Sequence, residues 1–296
     1  MVYGKSILDQ IGNTPLIEVT NIVQKNGVQL FLKLEGNNPG GSVKDRPAFN
    51  MINEALKRGD IKKGGHLVEA TSGNTGIALA FIAKVLDLNI TLIMPKNSTI
   101  ERVKTMRAYG AEVILTSSEN GIEDSRDLAF KLRDEKGYVL LNQFENNDNW
   151  KAHYKTTGPE IWQGTNGEIT HFVSAMGTTG TIMGVSTFLK ENNEAITIVG
   201  AQPTDGSRIP GIRKWSPDYV PKFFDRSKVD QVLEVSENEA AVMTRRLAKE
   251  EGVFAGMSSG GAVASALKLI KTLDQGIVVA VICDRGDRYL SSSLFE

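Results

Sequence analysis

The sequence predicts an α/β protein of two domains, each a mainly parallel, twisted sheet flanked by helices, with a cleft between them. Two observations predict it. Short apolar runs alternate with helical patterns along most of the chain, and strands separated by helices imply right-handed βαβ units and parallel pairing. There are also too many such runs for one small sheet. A hinge is read at 143–149, a stretch rich in Asn and Asp. The larger domain is expected at 1–36 and 146–296, and the smaller at 37–145.

The elements follow in order. A helix is expected after the glycine-rich run at 40–46, reaching about Arg58, because Pro47 is tolerated in a first turn. His66–Ala70 reads as a buried strand and Ile77–Leu88 as a helix apolar on most faces. Ile90–Met94 is a second strand, stopped by Pro95. Ser98 and Glu101 have the spacing of a capping box, opening a helix to Tyr109 with Gly110 beyond its end. Glu112–Leu115, Tyr138–Leu141, His171–Met176, Ile196–Ala201 and Ile277–Ile282 repeat the strand theme. A second capping box, Ser236 with Glu239, starts a helix ending before Gly252. Ala262–Ile270 reads as a further helix.

Composition narrows the function classes. Hydrophobic residues make up 41% and charged residues 23% of 296 positions, near the globular average. A net charge of −1, with Lys and Arg spread along the chain, argues against a nucleic-acid or anionic-membrane surface. No apolar run is long enough to span a bilayer, and Met1–Lys5 lacks the apolar core of a signal peptide. The single cysteine, Cys283, excludes an internal disulfide framework. A cytoplasmic enzyme is the expectation.

Four loops each open a helix. In Gly40-Gly41-Ser42-Val43-Lys44-Asp45-Arg46 the lysine sits at a helix N-terminus, where the dipole penalises a charged amine. An amine that readily loses its proton can form a Schiff base or act as a base, although an exposed first-turn lysine is the blander reading. Thr71-Ser72-Gly73-Asn74-Thr75-Gly76 gathers hydroxyls, an amide and backbone N–H groups, which suits a carboxylate. Gly177-Thr178-Thr179-Gly180-Thr181 lets the backbone approach a phosphate and adds hydroxyl donors. The fourth loop is Gly256-Met257-Ser258-Ser259-Gly260-Gly261.

That fourth loop also matches the G-x-S-x-G hydrolase elbow. An α/β-hydrolase needs its histidine after the serine, and His66, His153 and His171 all precede Ser258. Gly4-Lys5-Ser6 echoes the end of a P-loop, but the glycine required upstream would precede Met1. No G-x-G-x-x-G is found, and three scattered histidines with one cysteine make no metal-ligand spacing. Cys283 ends an apolar strand and reads as a small buried residue, with a cleft-lining thiol as the alternative.

A lysine, a phosphate cradle, a carboxylate site and a neutral serine are the parts a pyridoxal-phosphate enzyme needs. With these loops in this order, between Ile11-Gly12-Asn13-Thr14-Pro15-Leu16 and Arg288-Tyr289-Leu290-Ser291, the chain resembles the cysteine synthases (O-acetylserine sulfhydrylases) of the fold-type II pyridoxal-phosphate family. The B type is nearest. The phosphate loop reads Gly-Thr-Thr-Gly-Thr where the A type usually has Gly-Thr-Gly-Gly-Thr. Ile209–Trp215 and Cys283–Arg288 also resemble the B type, apart from Lys214, which stands where a second arginine is expected.

The resemblance implies roles residue by residue. Lys44 would carry the cofactor, pyridoxal 5'-phosphate, and serve as the catalytic proton carrier. Asn74 would bond the cofactor's ring oxygen, Gly177, Thr178, Thr179, Gly180 and Thr181 its phosphate, and Ser258 its pyridine nitrogen, with Ser259 as the alternative. Thr71, Ser72, Thr75 and Gln143 would grip the substrate carboxylate, and Arg213, with Lys214 beside it, would meet an anionic sulfur donor. The implied reaction is β-replacement: O-acetyl-L-serine with sulfide or thiosulfate gives L-cysteine or S-sulfocysteine plus acetate. A neutral serine at the pyridine nitrogen leaves the ring a weaker electron sink than an acidic partner would, which favours β-elimination chemistry over transamination. A transferase and cytoplasmic homodimer using only small-molecule substrates is implied, with no metal. The alternatives are a cystathionine β-synthase, a serine/threonine dehydratase, or a catalytically silent scaffold on the same fold.

Overall fold

Parallel strands buried on both faces are near-continuous runs of Val, Ile, Leu and Ala, and this chain supplies two such sets. The computed structural model describes residues 5–71, 73–117 and 122–296. Residue contacts divide the chain into two compact units: Met1–Ile11 with Lys44–Asn149, and Gly12–Val43 with Trp150–Glu296. Relative to the expected boundaries, 1–11 group with the smaller unit and 37–43 with the larger. The second crossing falls between Asn149 and Trp150, at the end of the Asn-rich stretch.

The larger unit holds a six-stranded sheet. Its strands are β1 (Leu16–Val19), β2 (Val28–Leu34), β7 (His171–Ala175), β8 (Thr197–Pro203), β9 (Gln231–Val235) and β10 (Gly276–Ile282), in the spatial order β1-β2-β10-β7-β8-β9. Only the β1/β2 pair is antiparallel. Alternation along β10 sorts its side chains: Val278, Ala280 and Ile282 enter one core, Val279 and Val281 another. The first core is closed by α8 (Glu237–Glu251) and α9 (Met257–Ile270), the second by α6 (Thr157–Gly164) and α7 (Gly180–Asn192).

The smaller unit holds four parallel strands, β3 (His66–Ala70), β4 (Asn89–Pro95), β5 (Glu112–Thr116) and β6 (Val139–Leu140), in the order β5-β4-β3-β6. Leu67, Leu92 and Met94 pack with α1 (Asp45–Arg58), α2 (Asn74–Val85) and α3 (Ile100–Ala108). Val68, Ala70 and Ile93 face α4 (Glu123–Lys136) instead. The remaining helix, α5 (Asn147–Lys155), contains the unit boundary.

Several expected elements differ in detail. Ser98 does not cap α3: the helix starts at Ile100 after Thr99, and no side chain closes its end. The Ser236–Glu239 capping box forms on both sides, and Gly252 ends that helix in the left-handed conformation at φ +67°. Pro95 is the last residue of β4 and not its breaker, since a terminal strand residue can forgo its N–H. Two helices start earlier than the patterns suggest, α2 at Asn74 and α9 at Met257, so both polar loops become first turns.

One buried ion pair fixes the start of the larger unit. Lys33, on β2, is 2% exposed; its Nζ lies 2.6 Å from Glu160 of α6 and donates to the Thr14 carbonyl at 2.6 Å. Thr14 donates to Glu35 at 2.6 Å, Asn38 donates to Glu35 at 3.0 Å, and Asn38 accepts the Gly12 N–H at 2.8 Å. Gly12 and Asn13 both adopt positive φ, at +92° and +47°, and Asn13 N–H reaches Glu160 at 3.0 Å. The Gly12–Leu16 stretch is therefore a turn sewn down by buried charges. Replacing Lys33 by Ala leaves the Glu160 carboxylate without its cation and should cost about 3–5 kcal/mol. All three tryptophans (Trp150, Trp162, Trp215) belong to this unit, so urea unfolding followed by their fluorescence measures it; an unchanged midpoint would refute the assignment.

Candidate active site

In the larger unit, the turn between β7 and α7 carries the phosphate-type loop. Thr179 is the N-cap of α7 and adopts φ +66°, an unusual conformation for a β-branched residue. Its hydroxyl is buried and meets no hydrogen-bond partner among the described residues. Gly180 N–H donates to Thr178 Oγ1 at 3.3 Å, so one hydroxyl of the loop shapes the turn itself. A strap at 209–215 holds the loop. Arg213 N–H donates to the Met176 carbonyl and the Trp215 indole N–H to the Gly177 carbonyl, both at 2.8 Å. A Cβ on Gly177 would lie 2.5 Å from the Gly211 carbonyl oxygen, so no larger residue fits there.

The same strap reaches α9. A Cβ on Gly211 would stand 3.4 Å from the Ser258 hydroxyl. Ser258 and Ser259 lie side by side in the first turn of α9, but their hydroxyls differ. Ser259 accepts the Cys283 N–H at 2.9 Å, whereas Ser258 makes no hydrogen bond among the described residues. Of the two, Ser258 is the one left for a ligand. The hydrolase elbow is not built, because α9 follows α8 through 252–256 with only a single bridge, Ala255 with Arg285, in place of a strand.

In the smaller unit, Lys44 is the N-cap of α1 and is half-buried; the cap is made by its backbone, whose carbonyl accepts the Ala48 N–H at 3.0 Å. Thr71 Oγ1 accepts the N–H groups of Gly73 and Gly76 at 3.2 and 3.3 Å, closing the first turn of α2. Asn74 is the first residue of that helix. Thr75 donates to Gln143 Oε1 at 2.7 Å, which turns the Gln143 amide so that its Nε2 donors remain for a carboxylate. Gln143 is otherwise 68 residues away in sequence. Ser72 lies outside the described residues.

Thr71, Thr75 and Gln143 are therefore brought together within the smaller unit, and Thr178, Thr179, Thr181 and Ser258 are carried by the larger. Arg213 stacks on Trp215, 5.5 Å from the ring centre. Lys214 turns away into ion pairs with Asp205 and Glu234 at 2.7 and 2.8 Å, which leaves it ill placed to recruit an anion. Cys283 is half-buried, not enclosed. Two residues that sequence reading passed over touch the loops. His153, 1% exposed, bridges Thr157 at 2.9 Å and the phosphate-loop Thr181 at 3.3 Å. Glu69, on β3, accepts the Asn142 N–H at 3.0 Å. Neither has a local signal, because the loop that each one touches lies far from it in the chain.

A pyridoxal-phosphate dependent enzyme family model matches residues 7–284. The chain belongs to the pyridoxal-phosphate dependent enzymes. Its cofactor is pyridoxal phosphate. Within the family it is 58% identical to cysteine synthase B of Pseudomonas aeruginosa over 98% of this chain and 97% of that one. It is 57% identical to cysteine synthase B of Escherichia coli, over 98% and 96% respectively. Among solved structures it is similar to an O-ureido-L-serine synthase (TM-score 0.94, 35% identity, 99% and 96% coverage) and to cysteine synthase from Entamoeba histolytica (TM-score 0.94, 35% identity, 100% and 91% coverage). The residues fit the family's cofactor: a buried, partnerless hydroxyl on Thr179 at the N-terminus of α7 is what an anionic phosphate needs. Among the described residues, no group of His, Cys, Asp and Glu could hold a metal ion, and no helix is long and apolar enough to cross a membrane.

Burial raises the Glu69 carboxyl from its ordinary 4.5 to about 8, against the opposing pull of the Asn142 and Gln143 N–H groups and the Arg126 charge. The folded chain thus keeps a proton that the unfolded chain has released between about pH 4.5 and 8. Stability linked to Glu69 is complete below the lower value and is lost as pH climbs through the upper one, by up to ~1.4 kcal/mol per pH unit. His66 and His171, whose burial lowers their pKa, act in the opposite sense near pH 6.5. Comparing urea midpoints of the parent and Glu69→Gln isolates the carboxyl. The variant should lose less stability from pH 5 to 8, and parallel profiles would contradict the shift.

Proposed function

We propose that this chain is a cysteine synthase of the B kind, a transferase that replaces the acetate of O-acetyl-L-serine with sulfur. The observation that carries this reading is similarity to curated cysteine synthase B proteins along almost the whole chain, together with a neutral side chain, Ser258, beside the strap in the first turn of α9. Bound pyridoxal phosphate supplies a conjugated ring that takes up the electrons released when an amino acid loses its α-proton.

The chain's own groups do the rest. Lys44 would hold the cofactor through its amine, and the same amine, when free, would take the substrate's α-proton and return it. Its place at the positive end of α1 favours the neutral amine that both tasks need. Gly177–Thr181 bind the phosphate through α7 N–H groups and the Thr179 hydroxyl. Asn74 would donate to the ring oxygen, and Ser258 would serve the pyridine nitrogen as a neutral partner. Thr71, Ser72, Thr75 and Gln143 hold the substrate carboxylate, with Gln143 turned to donate by its bond to Thr75. Sulfide adds to the carbon that acetate has left, giving L-cysteine; thiosulfate in the same position gives S-sulfocysteine. Arg213, held over Trp215, offers the cation for that larger anion. The reading carries with it a homodimer working in the cytoplasm on small molecules alone.

Purified enzyme given O-acetylserine and each sulfur donor in turn should release acetate and form the corresponding product. Release of acetate with no sulfur product would point instead to elimination alone. Lys44→Ala should lower turnover by at least ~100-fold, the usual weight of a positioned proton carrier, with unchanged far-UV circular dichroism because its cap is made by backbone. Near-native turnover without added amines would end the assignment. Arg213→Gln should raise the Michaelis constant for thiosulfate more than that for sulfide; equal effects would remove its recruiting role.

A further inference from the structure

A glutamate in the middle of a buried parallel strand is costly unless its carboxyl has a specific task. Glu69 is such a residue. It is 3% exposed on β3, among Leu67, Val68 and Ala70, which serve the two cores of the smaller unit. Its carboxyl turns to backbone. The Asn142 N–H donates to it at 3.0 Å, and the Gln143 N–H acts on it from the next residue. Asn142 adopts φ +53°, the left-handed conformation that bends the chain as it leaves β6 and turns its N–H to the carboxyl.

What this holds in place is Gln143. That residue follows the Asn142 N–H that Glu69 holds, and is itself fixed at two points: its side-chain oxygen on Thr75 at 2.7 Å and its carbonyl on the Asn149 amide at 2.6 Å. Glu69 is also two residues before Thr71, where the other half of the carboxylate grip begins. One side chain thus ties both halves of the grip to the same strand end. From α4, Arg126 faces the carboxyl and lies 5.6 Å from the centre of the Phe144 ring. Both residues line, with Glu69, a small open pocket.

We propose that Glu69 is a positioning residue for substrate binding, setting the Gln143 amide at the register from which it and Thr75 receive the carboxylate of the amino-acid substrate. The proposal rests on the reading of Gln143 as a substrate contact. Glu69 touches neither substrate nor cofactor; it acts through the turn it braces. Because misplacement of a binding group by an ångström is enough to cost on the order of a hundredfold, a carboxyl spent wholly on backbone N–H groups has a functional consequence. The neutral amide of glutamine keeps an acceptor oxygen in the same place, so it preserves most of the brace, whereas alanine leaves the Asn142 N–H unmet.

The test uses the holoenzyme with Glu69→Ala, Glu69→Gln, Gln143→Ala and the Glu69→Ala/Gln143→Ala pair. Glu69→Ala should raise the Michaelis constant for O-acetylserine by roughly ten- to a hundredfold, with kcat and the cofactor's visible absorbance little changed. Glu69→Gln should recover most of that loss. Added to Gln143→Ala, Glu69→Ala should contribute little more. In the cofactor-free protein, amide exchange over 139–146 should be faster in Glu69→Ala than in the parent. If Gln143→Ala leaves the Michaelis constant unchanged, the carboxylate reading of Gln143 falls and the proposal falls with it. If Gln143→Ala raises it and Glu69→Ala does not, only the proposal falls. A fall in kcat or cofactor absorbance as large as the rise in the Michaelis constant would assign Glu69 to general stability. Additive effects in the pair, or unchanged exchange over 139–146, would also overturn the brace.

Discussion

A parallel sheet obliges each strand to hand over to a connection at the same end, and the carboxylate-type and phosphate-type loops of this chain both sit at such a handover. β3 ends at Ala70 and α2 begins at Asn74; β7 ends at Ala175 and α7 begins at Gly180. Gln143 follows the end of β6 by three residues, and Cys283 follows β10 by one. With so few residues between strand and helix, the helix N–H groups and the polar side chains of the turn are presented together, which is where open α/β sheets bind their ligands. The chemistry is localised by topology before any side chain is chosen.

Polar groups inside the sheets then set how firmly each turn is held. Lys33 on β2 and Glu69 on β3 occupy positions where an aliphatic residue would pack at lower cost. Each directs its polar head to backbone: Lys33 to the carbonyl of Thr14 and Glu69 to the N–H of Asn142. The turns so addressed contain Asn13 and Asn142, both at positive φ. Left-handed residues in a turn bend the backbone groups to one side, and a buried opposite partner is what keeps them there.

Much of this was legible from residue types. The strand at 277–282 announces itself by an uninterrupted apolar run, and the helix after Ser236 by its capping spacing with Glu239. β2 and β9 escaped notice because Lys33 and Glu234 interrupt their runs, and the charge on β2 is explained only by a partner 127 positions away. The first turns of α2 and α9 were read as loops since Asn74, Gly76, Gly260 and Gly261 are poor helix formers; close packing overrides that preference, Gly260 lying where a Cβ would meet the Ala240 carbonyl at 2.2 Å. The candidate site was readable where it is contiguous, as in Gly177–Thr181. His153, Glu69 and Trp215 were hidden because each acts on a loop far along the chain, and a lone residue carries no mark of its partner. Arg213 and Lys214 look alike in sequence, yet carboxylates at 205 and 234 claim the lysine.

Thr179 holds a left-handed backbone that a glycine would adopt freely and a β-branched residue adopts only at a cost of about 1–2 kcal/mol. The A-type pattern places glycine at this position. Two lineages thus write one loop in different ways: the glycine version is relaxed and silent, while the threonine version is tensed and carries an extra hydroxyl donor. A phosphate that accepted this hydroxyl would offset part of that cost, so binding at this turn would add to the stability of the fold that presents it.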